Sequence, residues 1–230
     1  MEITLFQTSD PFSYYKMLHI TSETARAFCR NRQVKYEAFI GLRRGNQNWH
    51  STYNRVVYLA DRVREGYDGW ILHLDADAYV NDVNFDIWTY LADKGGYAMI
   101  GAPSGATEHF WDMNIGIMFF NLGHPFMIEM ARDWFAYLDR FDLARDATGW
   151  SESISDDQAM FHELLMRHPD RAGEVLLESW DFMNAPRSSF VRQMMRFPGV
   201  SFEERLANIE ARVAESLSGV TGVSLVPPEA

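Results

Sequence analysis

Two aspartates, Asp75 and Asp77, end an apolar run in the first half of the chain. Four of the five residues at 70–74 (WILHL) are apolar, which predicts a buried strand. Residues two apart in an extended chain point to the same side, so the two carboxylates can aim at one point. Such a pair needs a positive partner, and Mg²⁺ or Mn²⁺ prefers oxygen ligands and keeps open positions for phosphate oxygens. The pair therefore predicts a divalent-cation site for a diphosphate.

The residues around this pair distinguish it from an ordinary strand end. For an isolated Asp-x-Asp, a solvated loop or a cap of the next helix is the simpler interpretation. Here Ala76 and Ala78 leave room for a ligand beside the carboxylates, and two further polar motifs follow along the chain. We therefore predict that Asp75 and Asp77 are metal ligands.

The two later motifs place polar side chains at the starts of predicted elements. The first, Asn114-Ile115-Gly116, opens a strand. Its Asn114 amide can both donate to and accept from sugar hydroxyls, although turn chemistry alone also explains the motif. The second, Asp156-Asp157-Gln158, precedes an apolar-faced helix. One aspartate suffices for an N-cap, so we assign at least one of these three side chains to sugar hydroxyls or to the reacting centre.

The elements that would position these motifs alternate between strand and helix. Apolar runs predict strands at 3–8, 34–40, 70–74, 97–100, 115–120 and 175–177. Spacings of three and four residues predict helices at 13–30, 53–63, 85–91, 125–137, 157–166 and 202–217. This alternation predicts an α/β fold with a mostly parallel central sheet flanked by helices, whose ligands lie beyond the carboxyl ends of the strands. We assign one domain to 1–218 and expect 219–230 to be a mobile tail.

Composition narrows the class of protein. The formal net charge of −11 argues against a nucleic-acid partner, because phosphate contacts need clustered Lys and Arg. The single cysteine, Cys29, excludes a disulfide within one chain and favours a reducing compartment. No stretch approaches the length of a transmembrane segment, and the first ten residues lack a signal-peptide pattern. We therefore expect a cytoplasmic protein, with peripheral association to a membrane left open.

Taken together, the motifs resemble those of a known enzyme family. The stretches 70–78, 114–116 and 156–158 occur in the order and spacing of glycosyltransferase family 34, which contains xyloglucan xylosyltransferases and Golgi galactosyl- and mannosyltransferases. The similarity runs from Ile3 to about Leu165. It implies a Rossmann-like GT-A domain, a Mn²⁺ ion that joins the Asp-x-Asp motif to the diphosphate of a nucleotide-sugar donor, and transfer with retention at the anomeric carbon.

The resemblance also implies roles for donor-binding residues. Thr8, Ser9 and Asp10 would hold the nucleotide. Arg55 would lie near the diphosphate. Asp75 would contact the ribose or a metal-bound water, and Asp77 would ligate the metal.

For the transferred sugar, the resemblance points to the second motif. Asp156 and Asp157 would bind the sugar. Gln158 would lie beside the anomeric centre, where its carbonyl would stabilise oxocarbenium character.

One departure from the family pattern affects the metal site. Family members have a histidine near the C-terminal end of the fold that completes the metal shell, yet Asp181–Pro198 contains no histidine. Either Gln193 or Asn184 substitutes for it, or the ion is held more loosely. His109 is a loop histidine that could approach the site, and simple exposure is the alternative.

These observations predict a metal-dependent glycosyltransferase. It would move a hexose or pentose from a nucleoside-diphosphate sugar to a glycan or another hydroxyl acceptor. One alternative is a haloacid dehalogenase-type phosphohydrolase, because 74–77 (LDAD) resembles its nucleophile motif, although Tyr79 stands where that motif has Thr or Val. The other alternative is a nucleotide-sugar binding protein without turnover.

Overall fold

The computed structural model describes residues 2–143, 156–196 and 198–221. Its strands, in chain order, are β1 (Ile3–Ser9), β2 (Lys35–Ile40), β3 (Trp70–Asp75), β4 (Ala78–Val80), β5 (Met99–Pro103), β6 (Met113–Asn121), β7 (Val175–Leu177), β8 (Met183–Asn184) and β9 (Val191–Gln193). The α-helices are α1 (Tyr15–Arg32), α2 (Asn54–Arg64), α3 (Ile87–Leu91), α4 (Pro125–Leu138), α5 (Asp157–Met166) and α6 (Phe202–Thr221), with 3-10 turns at Asn48–Tyr53 and Pro169–Glu174.

The central sheet has the strand order β2-β1-β3-β6-β5-β7. Strands β1, β2 and β3 are mutually parallel, β6 is antiparallel to both of its neighbours, and β7 is parallel to β5. Five strands therefore run in one direction and β6 alone runs in the other. This arrangement confirms the α/β class with a mostly parallel central sheet.

The direction of β6 decides which side chains meet at one edge of the sheet. Thr8 pairs with Asp75, so the carboxyl ends of β1 and β3 lie side by side. Because β6 is reversed, its amino end lies at the same edge, where Ile117 pairs with Leu74. The Asn114 motif and the aspartate pair, which are far apart in sequence, therefore meet at this edge.

Two layers of helices cover the two faces of the sheet. Phe6, Ile71 and Phe120 pack in one cluster with side chains of α2, α4 and α5. Their strand neighbours Leu72 and Phe119 pack in the opposite cluster with side chains of α1 and α3. Successive residues of a strand point to opposite faces, and burial on both faces explains why these strands read as continuous apolar runs.

A second sheet of three short strands, in the order β4-β9-β8, was not predicted from the sequence. Strands of two or three residues are too short to show a period of two. In this sheet Gln193 pairs with Ala78, next to the aspartate pair. The small sheet therefore carries a chain segment from the C-terminal third to the same edge.

The last described helix, α6, packs on α1 through a cluster that includes Met17, Tyr79, Ile209 and Val213. It continues to Thr221, so the boundary predicted at residue 218 falls inside a helix. Residues 222–230 of the predicted tail lie outside the described residues. No described helix is both long enough and apolar enough to cross a bilayer.

Candidate active site

A cavity of about 410 Å³ opens at the carboxyl ends of β1 and β3. Seven residues that the sequence singled out contribute to its wall: Thr8, Ser9, Asp10, Arg55, Asp75, Asp77 and Gln193. The other predicted site residues, Asn114, Asp156, Asp157 and Gln158, are not part of this wall. The cavity is thus built from β1 and the loop after it, from the turn after β3 and from side chains of the segments 48–55 and 193–196.

The two aspartate side chains converge, as the sequence predicted. The amide nitrogen Nε2 of Gln193 is 3.3 Å from Asp75 Oδ2 and 3.0 Å from Asp77 Oδ1. One small group therefore touches both carboxylates at the floor of the cavity.

Each carboxylate is also paired with an arginine. Asp75 Oδ1 accepts a hydrogen bond of 2.7 Å from Arg55 Nη2, and Asp77 Oδ2 accepts one of 2.6 Å from Arg205 Nη2. The side chains of Arg55 and Arg205 are only 5% and 6% exposed. Removing one partner of such an ion pair is destabilising, because it leaves an uncompensated charge.

The two carboxyl groups differ in their acidity. Burial and the neighbouring Asp75 raise the pKa of Asp77 to about 6, against the effect of Arg205. Burial alone would raise the pKa of Asp75 as well, but Arg55 and His73 outweigh it and lower that pKa. Burial and Arg55 lower the pKa of His73 to about 4, so His73 is neutral at pH 7.

Arg55 joins the cavity to the start of α5. Its Nε lies 2.7 Å from Asp157 Oδ2, and its Nη1 donates to the backbone carbonyl of Ile115. Burial raises the pKa of Asp157 to about 7, although Arg55 acts in the opposite direction. One guanidinium therefore contacts β3, β6 and α5.

The first loop is fixed by its own polar side chains. Thr8 donates from Oγ1 to the carbonyl of Phe39 at 3.0 Å. The carboxylate of Asp10 accepts three hydrogen bonds from the backbone amides of residues 12–14, at 2.7, 2.7 and 3.0 Å. Ser9 is buried, and its Oγ has no hydrogen bond to any residue that the structure describes. Asp10 therefore stabilises the loop, whereas the Ser9 hydroxyl is available to hydrogen-bond a ligand.

The remaining predicted side chains accept hydrogen bonds from backbone amides. Asn114 Oδ1 accepts from the amide two residues further along, at 2.7 Å. Asp156 caps α5 by accepting from the amide three residues further along, also at 2.7 Å. Gln158 Oε1 accepts from the backbone amide of Ile115 at 3.2 Å. The Gln158 contact connects α5 to β6, and no side chain among the three extends into the cavity wall.

Sequence reasoning missed Arg205 and the aromatic side of the cavity. Arg205 lies in the first turn of an amphipathic helix, where charged residues usually face solvent, so the sequence carries no signal for it. Tyr14 accepts from Arg196 Nε at 2.7 Å and from Arg205 Nη1 at 3.1 Å, and with Trp49 and Arg196 it contributes to the cavity wall. His109, in contrast, is exposed, stacks on Trp111 and is not part of that wall.

The fold of this chain matches that of solved glycosyltransferase structures. One of these is a glycosyltransferase involved in the glycosylation of the major capsid of PBCV-1, with a TM-score of 0.65 and 16% identity, covering 92% of this chain and 100% of that one.

A second is the apo form of the glycosyltransferase GlyE from Streptococcus pneumoniae TIGR4, with a TM-score of 0.52 and 13% identity. That match covers 96% of this chain but only 64% of GlyE. No protein-family model and no curated protein matches the sequence. At these identities the likeness establishes the fold, and a fold alone does not define an activity.

Proposed function

We propose that this protein is a glycosyltransferase that moves a hexose or pentose from a nucleoside-diphosphate sugar to a hydroxyl group of a glycan or another acceptor. The observation that carries the proposal is the convergence of the Asp75 and Asp77 carboxylates on one point in the cavity of a glycosyltransferase fold. A cavity of about 410 Å³ lies within the usual range for small-molecule sites.

The donor set fits Mn²⁺ or Mg²⁺. Asp75 and Asp77 offer hard oxygen ligands, and the neighbouring Gln193 Oε1 is a buried oxygen without a hydrogen bond to any described residue. Asp75 and Asp77 would hold the cation. When bound, the cation would place positive charge next to the diphosphate leaving group.

The residues of the chain would act mainly by orienting groups. Arg55 and Arg205 hold the two carboxylates in place. Arg196 is exposed at the rim of the cavity, where a guanidinium can bind a phosphate in a bidentate manner. Tyr14 and Trp49 contribute to the wall, and aromatic side chains suit contact with a base or a sugar.

The finer assignments follow the resemblance to glycosyltransferase family 34. We propose transfer with retention, with the acceptor hydroxyl attacking from the face that the diphosphate leaves. Asp156, Asp157 and Gln158 remain predicted sugar-site residues. The contacts of Asp157 with Arg55 and of Gln158 with Ile115 support an action on the cavity through Arg55 and β6.

The solved structures reported above are glycosyltransferases, which favours glycosyl transfer over the phosphohydrolase alternative. A binding protein without turnover would share the same fold, so the decisive experiment has to measure turnover. The protein would be incubated with uridine- and guanosine-diphosphate sugars, MnCl₂ and a panel of hydroxyl acceptors, and released nucleoside diphosphate would be quantified.

Asp77→Asn should lower the rate of release by about 100-fold or more, because it removes one of two charged ligands. The exposed Asp93 is not in the cavity wall, and Asp93→Asn is the matched control. Full release by Asp77→Asn in saturating Mn²⁺ would contradict the assignment.

A further inference from the structure

The side chain of Gln193 is held between the two carboxylates by the small sheet. Gln193 lies on β9 opposite Ala78 of β4, and its Nε2 touches both Asp75 and Asp77. The residue is 6% exposed, and its Oε1 has no hydrogen bond to the described residues. A buried acceptor without a hydrogen-bond partner destabilises the fold. A ligand from outside the described part of the chain would satisfy this oxygen.

Glycine at position 116 provides the space for this arrangement. A Cβ atom on Gly116 would lie 2.5 Å from Gln193 Nε2, 2.6 Å from Gln193 Oε1 and 2.8 Å from Asp75 Oδ2. Contacts below 3.0 Å force the neighbours to shift, so no other residue fits at this place without moving the amide. The absence of a side chain on β6 thus creates the position that the Gln193 amide fills.

We propose that Gln193 supplies the third protein oxygen of the cation site formed by Asp75 and Asp77. This inference rests on the proposed function. The two ends of a glutamine amide have nearly the same shape but opposite hydrogen-bonding character. Without a cation, the nitrogen donates to both carboxylates. With a cation between them, the oxygen is the end that ligates it.

A site of this composition has a defined preference among metals. Two carboxylates and one amide oxygen form an all-oxygen donor set, which suits Mg²⁺, Mn²⁺ and Ca²⁺. Zn²⁺, Co²⁺ and Ni²⁺ gain from an imidazole ligand. Compared with a histidine at this position, the glutamine therefore shifts the preference of the site towards hard cations.

Asn184 is the other candidate that the sequence offered in place of the missing histidine, and its position differs from that of Gln193. It is fully buried on β8, with φ of 90° and no side-chain hydrogen bond among the described residues. It is not part of the cavity wall. Asn184 therefore serves as the matched control for Gln193.

The test measures Mn²⁺ binding without donor or acceptor, from the electron paramagnetic resonance signal of free Mn²⁺. Gln193→Ala should weaken binding by at least about tenfold. Gln193→Glu should bind at least as tightly as the wild type, because it keeps an oxygen ligand and adds charge. Asn184→Gly, which tolerates the positive φ, should stay within about twofold. Circular dichroism and melting curves verify that each variant is folded.

Gln193→His gives a second readout that works even if Gln193→Ala does not fold. In competition experiments its preference should move from Mg²⁺ towards Zn²⁺ relative to the wild type. The proposal is overturned if folded Gln193→Ala keeps wild-type Mn²⁺ affinity, or if Gln193→His leaves the metal preference unchanged. If the wild type itself binds no Mn²⁺, the cation dependence under the proposed function fails, and this proposal fails with it.

Discussion

Arg205 donates a 2.6 Å hydrogen bond to Asp77, a residue that precedes it by 128 positions in the chain. The same guanidinium contacts the backbone carbonyl of Met194 and the hydroxyl of Tyr14. The C-terminal helix α6 therefore contributes directly to the position of an aspartate at the end of the third strand.

Removing this guanidinium should destabilise the fold. Arg205→Met leaves Asp77 buried without its ion-pair partner, and we expect the free energy of unfolding to fall by about 3 to 5 kcal/mol. Urea denaturation measures the loss. In an Asp77→Asn background the same substitution should cost much less, because no charge is left unpaired. Equal costs in the two backgrounds would show that Arg205 acts through packing alone.

The close approach at Gly116 predicts a second variant. Gly116→Ala places a methyl group against Gln193 and Asp75, and we expect a loss of stability of about 1 to 3 kcal/mol together with weaker Mn²⁺ binding. Gly95 has open space around its Cβ position, so Gly95→Ala is the control and should change stability by no more than about 0.5 kcal/mol. Wild-type Mn²⁺ affinity in folded Gly116→Ala would contradict the predicted crowding.

The raised pKa values predict how stability changes with pH. Asp77 and Asp157 go from 3.8 to about 6 and about 7 on folding. Between about pH 4 and pH 7 the folded protein therefore binds more protons than the unfolded chain. The free energy of unfolding should fall as the pH rises through this range, and these two groups should not change it further at higher pH. Unfolding free energies at pH 5 and pH 8 measure the effect. Asp157→Asn should reduce the difference between the unfolding free energies at the two pH values. An unchanged difference would contradict the raised pKa of Asp157.

Arg196 should affect donor binding without affecting the fold. It is exposed, and its described hydrogen bond is to the Tyr14 hydroxyl. Because charge-assisted hydrogen bonds contribute about 1.5 to 3 kcal/mol, we expect Arg196→Ala to raise the KM for the donor by about 10- to 100-fold with an unchanged melting temperature. Arg187 is also exposed but lies outside the cavity wall, and Arg187→Ala is its control. An unchanged KM in Arg196→Ala would remove Arg196 from the donor site.

The sequence predicted the fold class and the aspartate pair for the same physical reason. Strands buried on both faces have continuous apolar sequences. The apolar run at 70–74 is therefore recognisable in the sequence, and so are the two aspartates that follow it. The convergence of Asp75 and Asp77 then follows from the period of two in an extended chain.

Other parts of the site could not be predicted. Asp10 and Asp156 satisfy backbone amides of their own loops and helix, and a short acidic side chain looks the same in sequence whether it caps a helix or binds a ligand. Arg205 reaches the site through long-range packing of α6, and a helical surface charge carries no pattern that reveals such a contact. Gln193 is one of the two amides that the sequence offered in place of the missing histidine, and the pairing of β9 with β4 is what places it, and not Asn184, beside the two aspartates.

The central claim is that Asp75 and Asp77 together hold a cation against the diphosphate of a sugar nucleotide. Melting curves of the wild type and Asp77→Asn, recorded with each donor in the presence and absence of Mn²⁺, test it most directly. At a donor concentration of roughly 100 times Kd, stabilisation by about 2.7 kcal/mol should raise the melting temperature of the wild type by about 5 to 10 °C, only when Mn²⁺ is present, and should leave Asp77→Asn unchanged. A donor that stabilises both proteins equally, with or without the cation, would contradict the claim.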